Sequence, residues 1–310
     1  MTPSIMGLAE ELKRLLGSRL KANFPLAPLT TFGIGGPAEY FAEIEDRSEL
    51  KKVGRLAKEN GASVTLLGFG SNVLISDQGL SGLVIRLSGE FKDIVFDDDD
   101  GARAGAACRL QKFVTELAER GFEGMEAMVG VPGTVGGGLF MNAGTKDGEI
   151  RDHLLSVEVY AQAVGDFKNQ AASSVDFGYR RSSFQGSGDI IVSALFKFPV
   201  AKSKEDLLYK IRNLMERRKA TQPVDTKNVG SIFKNPTGDF AARIIEAAGL
   251  KGKRVGGAVV SPRHANFIVN EGGARAEDVA ALMRVVRETV EEKFGVRLEP
   301  EVRFLGEFKK

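Results

Sequence analysis

The sequence predicts a mixed α+β fold, and three observations carry that expectation. Strand, helix and strand signals follow one another between residues 37 and 87, the order that lays a helix against a sheet. A further helix signal at 110–120 is then followed by strand signals at 154–163 and 189–198. Lastly, "PVAKSKED" (199–206), where Pro199 and charged residues close a strand, marks a boundary before a further compact module. A chain of 310 residues has room for a sizeable core and for two or three subdomains.

The elements follow in order. "GLAEELKRLL" (7–16) reads as a short amphipathic helix. "TTFGIGGPAEYFAEI" (30–44) is a glycine turn feeding a strand, with Pro37 at its edge. "RSELKKVGRLAKEN" (47–60) is helical, and Gly61 stands where a helix stops. "SVTLL" (63–67) and "LVIRL" (83–87) are strands on either side of the turn "GFGSN" (68–72), and Val73, Leu74 and Ile75 also read as strand. "DDDD" (97–100) with Gly101 is a solvated hairpin tip between "FKDIVF" and "ARAGA". "LQKFVTELAER" (110–120) is a helix ended by Gly121, and strands are expected at 154–163 and 189–198. Ser203 with Asp206 opens the helix "EDLLYKIRNLMERR" in the manner of a capping box. In "EDVAALMRVVRETVEEKFG", Val279, Leu282, Met283, Val286 and Val290 form one apolar face. The segment "VRLEPEVRF" (296–304) alternates as a strand, with Val296, Leu298, Val302 and Phe304 on one side.

Composition narrows the function classes. The 43 basic and 41 acidic residues leave a net charge of +2, so no global field marks a nucleic-acid binder. The one cysteine, Cys108, makes an internal disulfide impossible and a cysteine metal cluster unexpected. His153 and His264 are the only histidines, too few for an ordinary zinc site or a histidine-based triad, and no metal is expected. The N-terminus lacks a secretory apolar region and no apolar run reaches 18 residues, so the expectation is a soluble, cytoplasmic protein without a membrane partner.

Chemistry is expected first at two glycine stretches. In "LLGFGSNVLISD" (66–77), Gly68, Gly70, Ser71 and Asn72 follow a short strand, and bare backbone amides there can cradle phosphate oxygens. No third glycine near position 73 opens a helix, so this is not the Rossmann fingerprint. "VPGTVGGGLFMNAGT" (131–145) places five glycines in fifteen positions. Inside a helix or strand each glycine costs roughly 0.5–1 kcal/mol relative to alanine. Such a stretch therefore needs positive φ, a close backbone neighbour or a ligand that tolerates no Cβ. Two separated glycine turns suit an extended ligand such as a dinucleotide.

Three polar clusters follow. "FGYRRSSF" (177–184) groups Tyr179, Arg180, Arg181 and Ser182; "NVGSIFKNPTG" (228–238) sets Ser231 and Asn235 around apolar residues; "LEPEVRF" supplies Glu301. Each also has an ordinary structural reading, as an ion pair, a turn residue or a charge on an edge strand, and the residues alone leave both open.

Taken in order, "LTTFGIGGPA", "LLGFGSNVLISDQG", "VGVPGTVGGGLFMNAG", "FGYRRSSF", "VGSIFKNP", "IIEAAGLKG", "HANFIVN" and "LEPEVRFLG" resemble the UDP-N-acetylenolpyruvoylglucosamine reductase family, from about Leu29 to Gly306. The resemblance implies a vanillyl-alcohol-oxidase-like (PCMH-type) FAD-binding fold. Residues 1–88 and 89–200 would be the two FAD-binding subdomains, 201–295 an α/β subdomain for the UDP-sugar, and 296–310 a strand bringing Glu301 back to the active site. It implies non-covalent FAD, held by Gly68, Gly70, Ser71, Asn72, Gly133, Thr134, Gly136, Gly137, Asn142 and Gly144, with NADPH as hydride donor.

The implied reaction is reduction of UDP-N-acetylglucosamine enolpyruvate in peptidoglycan precursor synthesis, hydride passing from flavin N5 to C3 and a proton to C2. Arg180 and Glu301 would stabilise charge on the substrate carboxylate, and Ser231 would deliver the proton. Tyr179, Arg218 and Asn235 would contact the substrate. No protein or nucleic-acid partner is implied. The chain departs from the family pattern at Gly33, where arginine is common, at Phe69 in "GFGSN", and at Gly138 in place of alanine. The short "RSSFQGSG" after Arg180 resembles the subclass lacking a substrate-covering tyrosine loop. His264 is expected to make a structural hydrogen bond, His153 has no expected role, and Cys108 is expected to be partly buried and not a flavin linkage. A flavin oxidase and a non-catalytic nucleotide sensor are the competing readings.

Overall fold

The computed structural model describes residues 5–97 and 100–308. The expected helices form at Ile5–Leu16, Arg47–Glu59, Leu110–Glu119, Lys204–Thr221 and Ala276–Phe294. Their ends follow the local chemistry. Asp46 accepts the Glu49 N–H at the start of the second helix, and Gly61, at φ +62°, follows its end. Ser203 Oγ accepts the Asp206 N–H at 3.1 Å.

Two sheets dominate. One runs in the order Lys21–Pro25, Pro37–Ile44, Leu80–Leu87, Val64–Leu66, the last pair parallel. The other runs Asp166–Ala171, Leu154–Ala161, Ile190–Lys197, Gly101–Gly105, Ile94–Phe96, antiparallel throughout. The last two strands make the expected hairpin; Asp98 and Asp99 of its tip lie outside the described residues.

The chain divides into two compact units. The first comprises residues 1–22, 40–69 and 82–216, and the second 23–39, 70–81 and 217–310. Each has its own core. In the first, Phe113, Phe196 and Phe198 pack with Leu110, Val157 and Val192 beneath the antiparallel sheet. A Cβ on Gly54 would collide with the Tyr160 ring, so helix Arg47–Glu59 needs that glycine to approach its strand neighbour. In the second, Val279, Leu282, Met283, Val286 and Val290 are all buried, the one apolar face expected of this helix.

Three local expectations are corrected. Residues 296–304 are not one strand: only Arg303–Leu305 is strand, paired in parallel with Val73–Ile75. Pro300 has no N–H and joins Phe233 through an isolated bridge; Leu298 and Val302 are buried, while Phe304 is 39 % exposed. The stretch 131–145 holds a short helix, Val135–Met141, begun by Thr134 and ended by Asn142 in the left-handed region. Cys108 is 1 % exposed, buried outright and not in part.

Candidate active site

The first unit carries the larger glycine stretch, and its glycines serve different ends. Gly136 lies against Ala106, whose Cβ would be 2.8 Å from an added Cβ, and Gly138 lies 2.9 Å from Ile150 in the same sense. Both are explained by packing within the protein. Gly144 is confined in the same way by Glu149 across a two-residue hairpin, at 2.8 Å. Gly137 and Gly68 differ. Each is exposed, and an added Cβ on either would meet only the Thr134 hydroxyl, at 3.4 Å. Thr134 Oγ1 also accepts the Gly137 N–H at 3.2 Å. Gly133 adjoins this group, its carbonyl accepting the Leu110 N–H at 3.0 Å. Gly68, Thr134 and Gly137 thus border an open space that side chains would fill.

Asn142 is fully buried. Its Nδ2 donates to Glu149 Oε2 at 2.9 Å and to the Gly178 carbonyl at 3.0 Å, and Oδ1 has no partner among the described residues. It therefore fastens the hairpin Phe177–Ser182, which bears Arg180. Arg180 takes φ +54°, a left-handed conformation costing about 1 kcal/mol for a residue with a side chain. The turn is held from several sides. Arg180 Nη2 donates to the Gly144 carbonyl at 2.8 Å, Gln185 Nε2 donates to the Arg180 carbonyl at 3.2 Å, and Ser182 Oγ donates to the Phe140 carbonyl at 2.7 Å. Tyr179 is 48 % exposed, with the Arg180 guanidinium 5.1 Å from its ring centre.

The second unit carries Gly70, Ser71, Asn72, Arg218, Ser231, Asn235 and Glu301. Gly70, at φ +71°, has no room for a Cβ because the Leu29 carbonyl lies against it, so its need is met within the protein. Asn72 Nδ2 donates to the Glu301 carbonyl at 3.2 Å, and the Arg303 N–H donates to the Asn72 carbonyl at 3.0 Å. Glu301 N–H donates to the Ile232 carbonyl at 2.8 Å, so Glu301 is tied to the residue next to Ser231. Asn72, Ser231 and Glu301 are therefore brought together.

Asn266 clamps this arrangement. Almost fully buried, it accepts the Phe233 N–H at 3.0 Å through Oδ1 and donates to the Phe233 carbonyl at 2.8 Å through Nδ2. Sequence reasoning passed over it, although an amide inside the apolar run "ANFIV" is the kind of buried polar group that demands a partner. Asn235 Oδ1 accepts the Ala241 N–H at 3.0 Å, starting the helix Ala241–Ala247. Lys227 lies across Gly33, its Cδ 3.1 Å from where a Cβ would stand.

Arg218 stands apart from the ordinary ion pairs. Its Nε is buried without a hydrogen-bond partner among the described residues, and burial lowers its pKa. Gln222 Oε1, one helical turn on, and His264 Nδ1 are likewise buried and unpartnered there. Arg218 is close enough to His264 to depress the imidazole's proton affinity, after the larger effect of burial. The structural hydrogen bond expected of His264 is therefore not made at Nδ1; the ring packs edge-on against Phe267, 4.7 Å between centres. These three atoms offer a donor and an acceptor that the protein itself leaves unused. His153 packs against Phe198, 5.2 Å between ring centres. Among the described residues no group of three or more acidic, histidine or cysteine side chains could hold a metal, and no helix is long and apolar enough to cross a membrane.

A side-chain-free space at Gly68, Thr134 and Gly137 fits the phosphate-bearing part of a dinucleotide. A family model described as an FAD binding domain matches residues 38–169, which contain all three. Fold and site define an FAD-binding oxidoreductase of mixed α+β architecture. A second model, described as the C-terminal domain of UDP-N-acetylenolpyruvoylglucosamine reductase, matches residues 222–305. The chain is 44 % identical over 306 residues to UDP-N-acetylenolpyruvoylglucosamine reductase 2 of Symbiobacterium thermophilum, covering 96 % of this chain and 97 % of that one. It is 39 % identical over 293 residues to the reductase of Lactobacillus helveticus, covering 94 % and 97 %. The crystal structure of UDP-N-acetylenolpyruvylglucosamine reductase from Thermus caldophilus superimposes with a TM-score of 0.78 at 39 % identity, over 91 % of this chain and 97 % of that one. The chain belongs to the UDP-N-acetylenolpyruvoylglucosamine reductase family.

Proposed function

We propose that the protein reduces the enolpyruvyl ether of UDP-N-acetylglucosamine to the lactyl ether, giving UDP-N-acetylmuramate for peptidoglycan synthesis in the bacterial cytoplasm. The carrying observation is the hydrogen-bonded join of the Ser231 and Glu301 segments, in a chain alike from end to end to reductases of that name. When bound, FAD would supply the redox chemistry, the relay of hydride between NADPH and the enolpyruvyl group. Gly68, Thr134 and Gly137 of the first unit would hold it.

The residues of the chain manage charge and the proton. Hydride addition at C3 leaves C2 with carbanion character, delocalised into the adjoining carboxylate. Arg180 offers that carboxylate a charge-assisted donor, already held in its turn by Gly144, Gln185 and Asn142, so little reorganisation is needed. Ser231 gives its hydroxyl proton to C2, which a weak acid can do only to a strongly basic carbon in a site closed to water. Glu301 is set to face the carboxylate from the segment bonded to Ile232, a role that requires its carboxyl in the protonated form. The UDP diphosphate satisfies Arg218, whose charge the protein leaves unpaired, with His264 and Gln222 as neutral partners of the substrate's polar groups. Tyr179 and Asn235 are further substrate contacts, Asn235 through the amide opposite the Oδ1 that caps the helix Ala241–Ala247.

Anaerobic stopped-flow absorbance of the flavin tests this reading. NADPH should bleach the bound flavin, and UDP-N-acetylglucosamine enolpyruvate should restore the colour. Ser231→Ala should leave bleaching intact and slow restoration by about 10²–10⁴-fold. Restoration by oxygen alone, with the UDP-sugar inert, would point to an oxidase instead.

A further inference from the structure

Phe69, a departure from the family pattern, stands beside the glycine space and carries a side-chain contact of its own. Phe69 follows Gly68, and the Arg109 guanidinium lies flat over its ring, 3.5 Å from the centre. Arg109 is also fixed at its backbone: it bridges Thr134 in antiparallel register, while the next residue, Leu110, donates to the Gly133 carbonyl at 3.0 Å. Both residues thus adjoin the space edged by Gly68, Thr134 and Gly137. Among the described residues no carboxylate pairs with Arg109 or with nearby Arg86. Burial, followed by the charge of Arg86, makes the Arg109 guanidinium less comfortable as a cation.

We propose that Arg109, stacked on Phe69, clamps the diphosphate of FAD from the side of the glycine space. An aromatic platform removes the guanidinium's freedom without neutralising it, which leaves its edge N–H groups for an anion. An anion between two like-charged arginines relieves their repulsion, a gain that a neutral ligand cannot supply. FAD is the chosen occupant because Phe69, Arg86, Arg109 and Thr134 all fall inside the matched FAD-binding segment, 38–169. The proposal rests on the reading that Gly68 and Gly137 border the flavin dinucleotide's site.

The test is the rate at which full-length, FAD-loaded protein releases flavin on dilution, followed by flavin fluorescence at low and high salt. Arg109→Gln should release flavin about tenfold faster at low salt and lose most of the salt dependence shown by the parent. Phe69→Ala should lie between the two, and Phe69→Tyr should match the parent. Release unchanged in Arg109→Gln overturns the clamp. So does unchanged release with a raised KM for NADPH, which would assign the guanidinium to the nicotinamide dinucleotide. Gly137→Ala separates the two levels of the reading. If it releases flavin faster while Arg109→Gln does not, only the clamp fails. If it too retains flavin like the parent, the glycine space is not the flavin's site.

Discussion

Asn72 and Glu301, far apart in sequence, are joined by the Asn72 amide donating to the Glu301 carbonyl at 3.2 Å, while the Arg303 N–H returns to the Asn72 carbonyl at 3.0 Å. The asparagine of the "GFGSN" turn thus has a task within the protein: it sets the backbone of Glu301, the residue proposed above to act on the substrate carboxylate. A lone donor to a partly buried carbonyl is worth about 1 kcal/mol, roughly a fivefold effect on a rate that depends on that alignment. Asn72→Ala should slow flavin reoxidation by the UDP-sugar by about that factor and leave reduction by NADPH unchanged. Asn72→Asp should be slower still, since a carboxylate would face the carbonyl. If both half-reactions fall together and flavin is lost, Asn72 acts chiefly on the cofactor.

Adjacent glycines should separate packing from binding. A methyl group on Gly136 would press on Ala106, while one on Gly137 enters open space beside Thr134. Gly136→Ala should lower the melting temperature, consistent with overpacking costs of about 1–3 kcal/mol. Gly137→Ala should raise that of flavin-free protein, because alanine favours a helix over glycine by about 1 kcal/mol, yet weaken flavin retention. Differential scanning calorimetry with and without FAD reads both signs. A lower melting temperature for flavin-free Gly137→Ala would show that the helix needs that glycine for itself.

Where burial follows a regular period, the sequence was legible. The face Val279–Val290 is apolar at helical spacing and is buried as that spacing requires. The eight motifs likewise pointed to the family to which the chain belongs. Legibility failed where tertiary partners replace local preference. The helix Val135–Met141 contains three successive glycines that erase its propensity, and it persists through the Thr134 cap and packing on Ala106. Strand Asp166–Ala171 is mostly polar, with Phe167 its one large apolar residue, and it exists because Leu154–Ala161 offers it a complete register and Tyr160 a partner for that ring. Residues 296–302 alternate like a strand, but Pro300 interrupts the ladder and Ile232 takes the Glu301 N–H instead. The trio Arg218, Gln222 and His264 was invisible as a group, since only the fold places residue 264 beside that helix.

Arg218 should behave as a function-for-stability compromise. A half-buried guanidinium without a carboxylate partner, its Nε shut off from water, destabilises the folded chain. Arg218→Met keeps the length of the side chain and removes the charge. It should raise the melting temperature of substrate-free protein by a few degrees, as ~1 kcal/mol does in a domain of this size, and raise KM for the UDP-sugar about tenfold or more. Adding the UDP-sugar should then stabilise the parent more than the variant. A variant both less stable and unchanged in KM would mean that Arg218 packs and does not bind.

Cys108 gives a check on the folded core. It is 1 % exposed, and burial pushes its thiol up to about 11. The reactive thiolate is therefore scarce as well as shielded at neutral pH. A chromogenic disulfide reagent should leave the native protein untouched and titrate one thiol after denaturation. Rapid labelling of native protein would show that this part of the core opens readily.

His264 should give the stability profile a slope at acid pH. Burial foremost, then Lys251 and Arg218, lower its pKa below the ordinary value of 6.5, outweighing the raising effects of a backbone hydrogen bond and Glu246. With the folded pKa below the unfolded one, the unfolded chain binds a proton that the folded chain refuses. Stability is therefore full above 6.5 and falls as the pH drops through that value, until the folded ring is itself protonated. His264→Gln removes the titrating group and keeps an amide acceptor, so its melting temperature should decline less between neutral and mildly acid pH. Parallel declines in the two proteins would mean that the imidazole accepts a proton in place, with Nδ1 free to reach water.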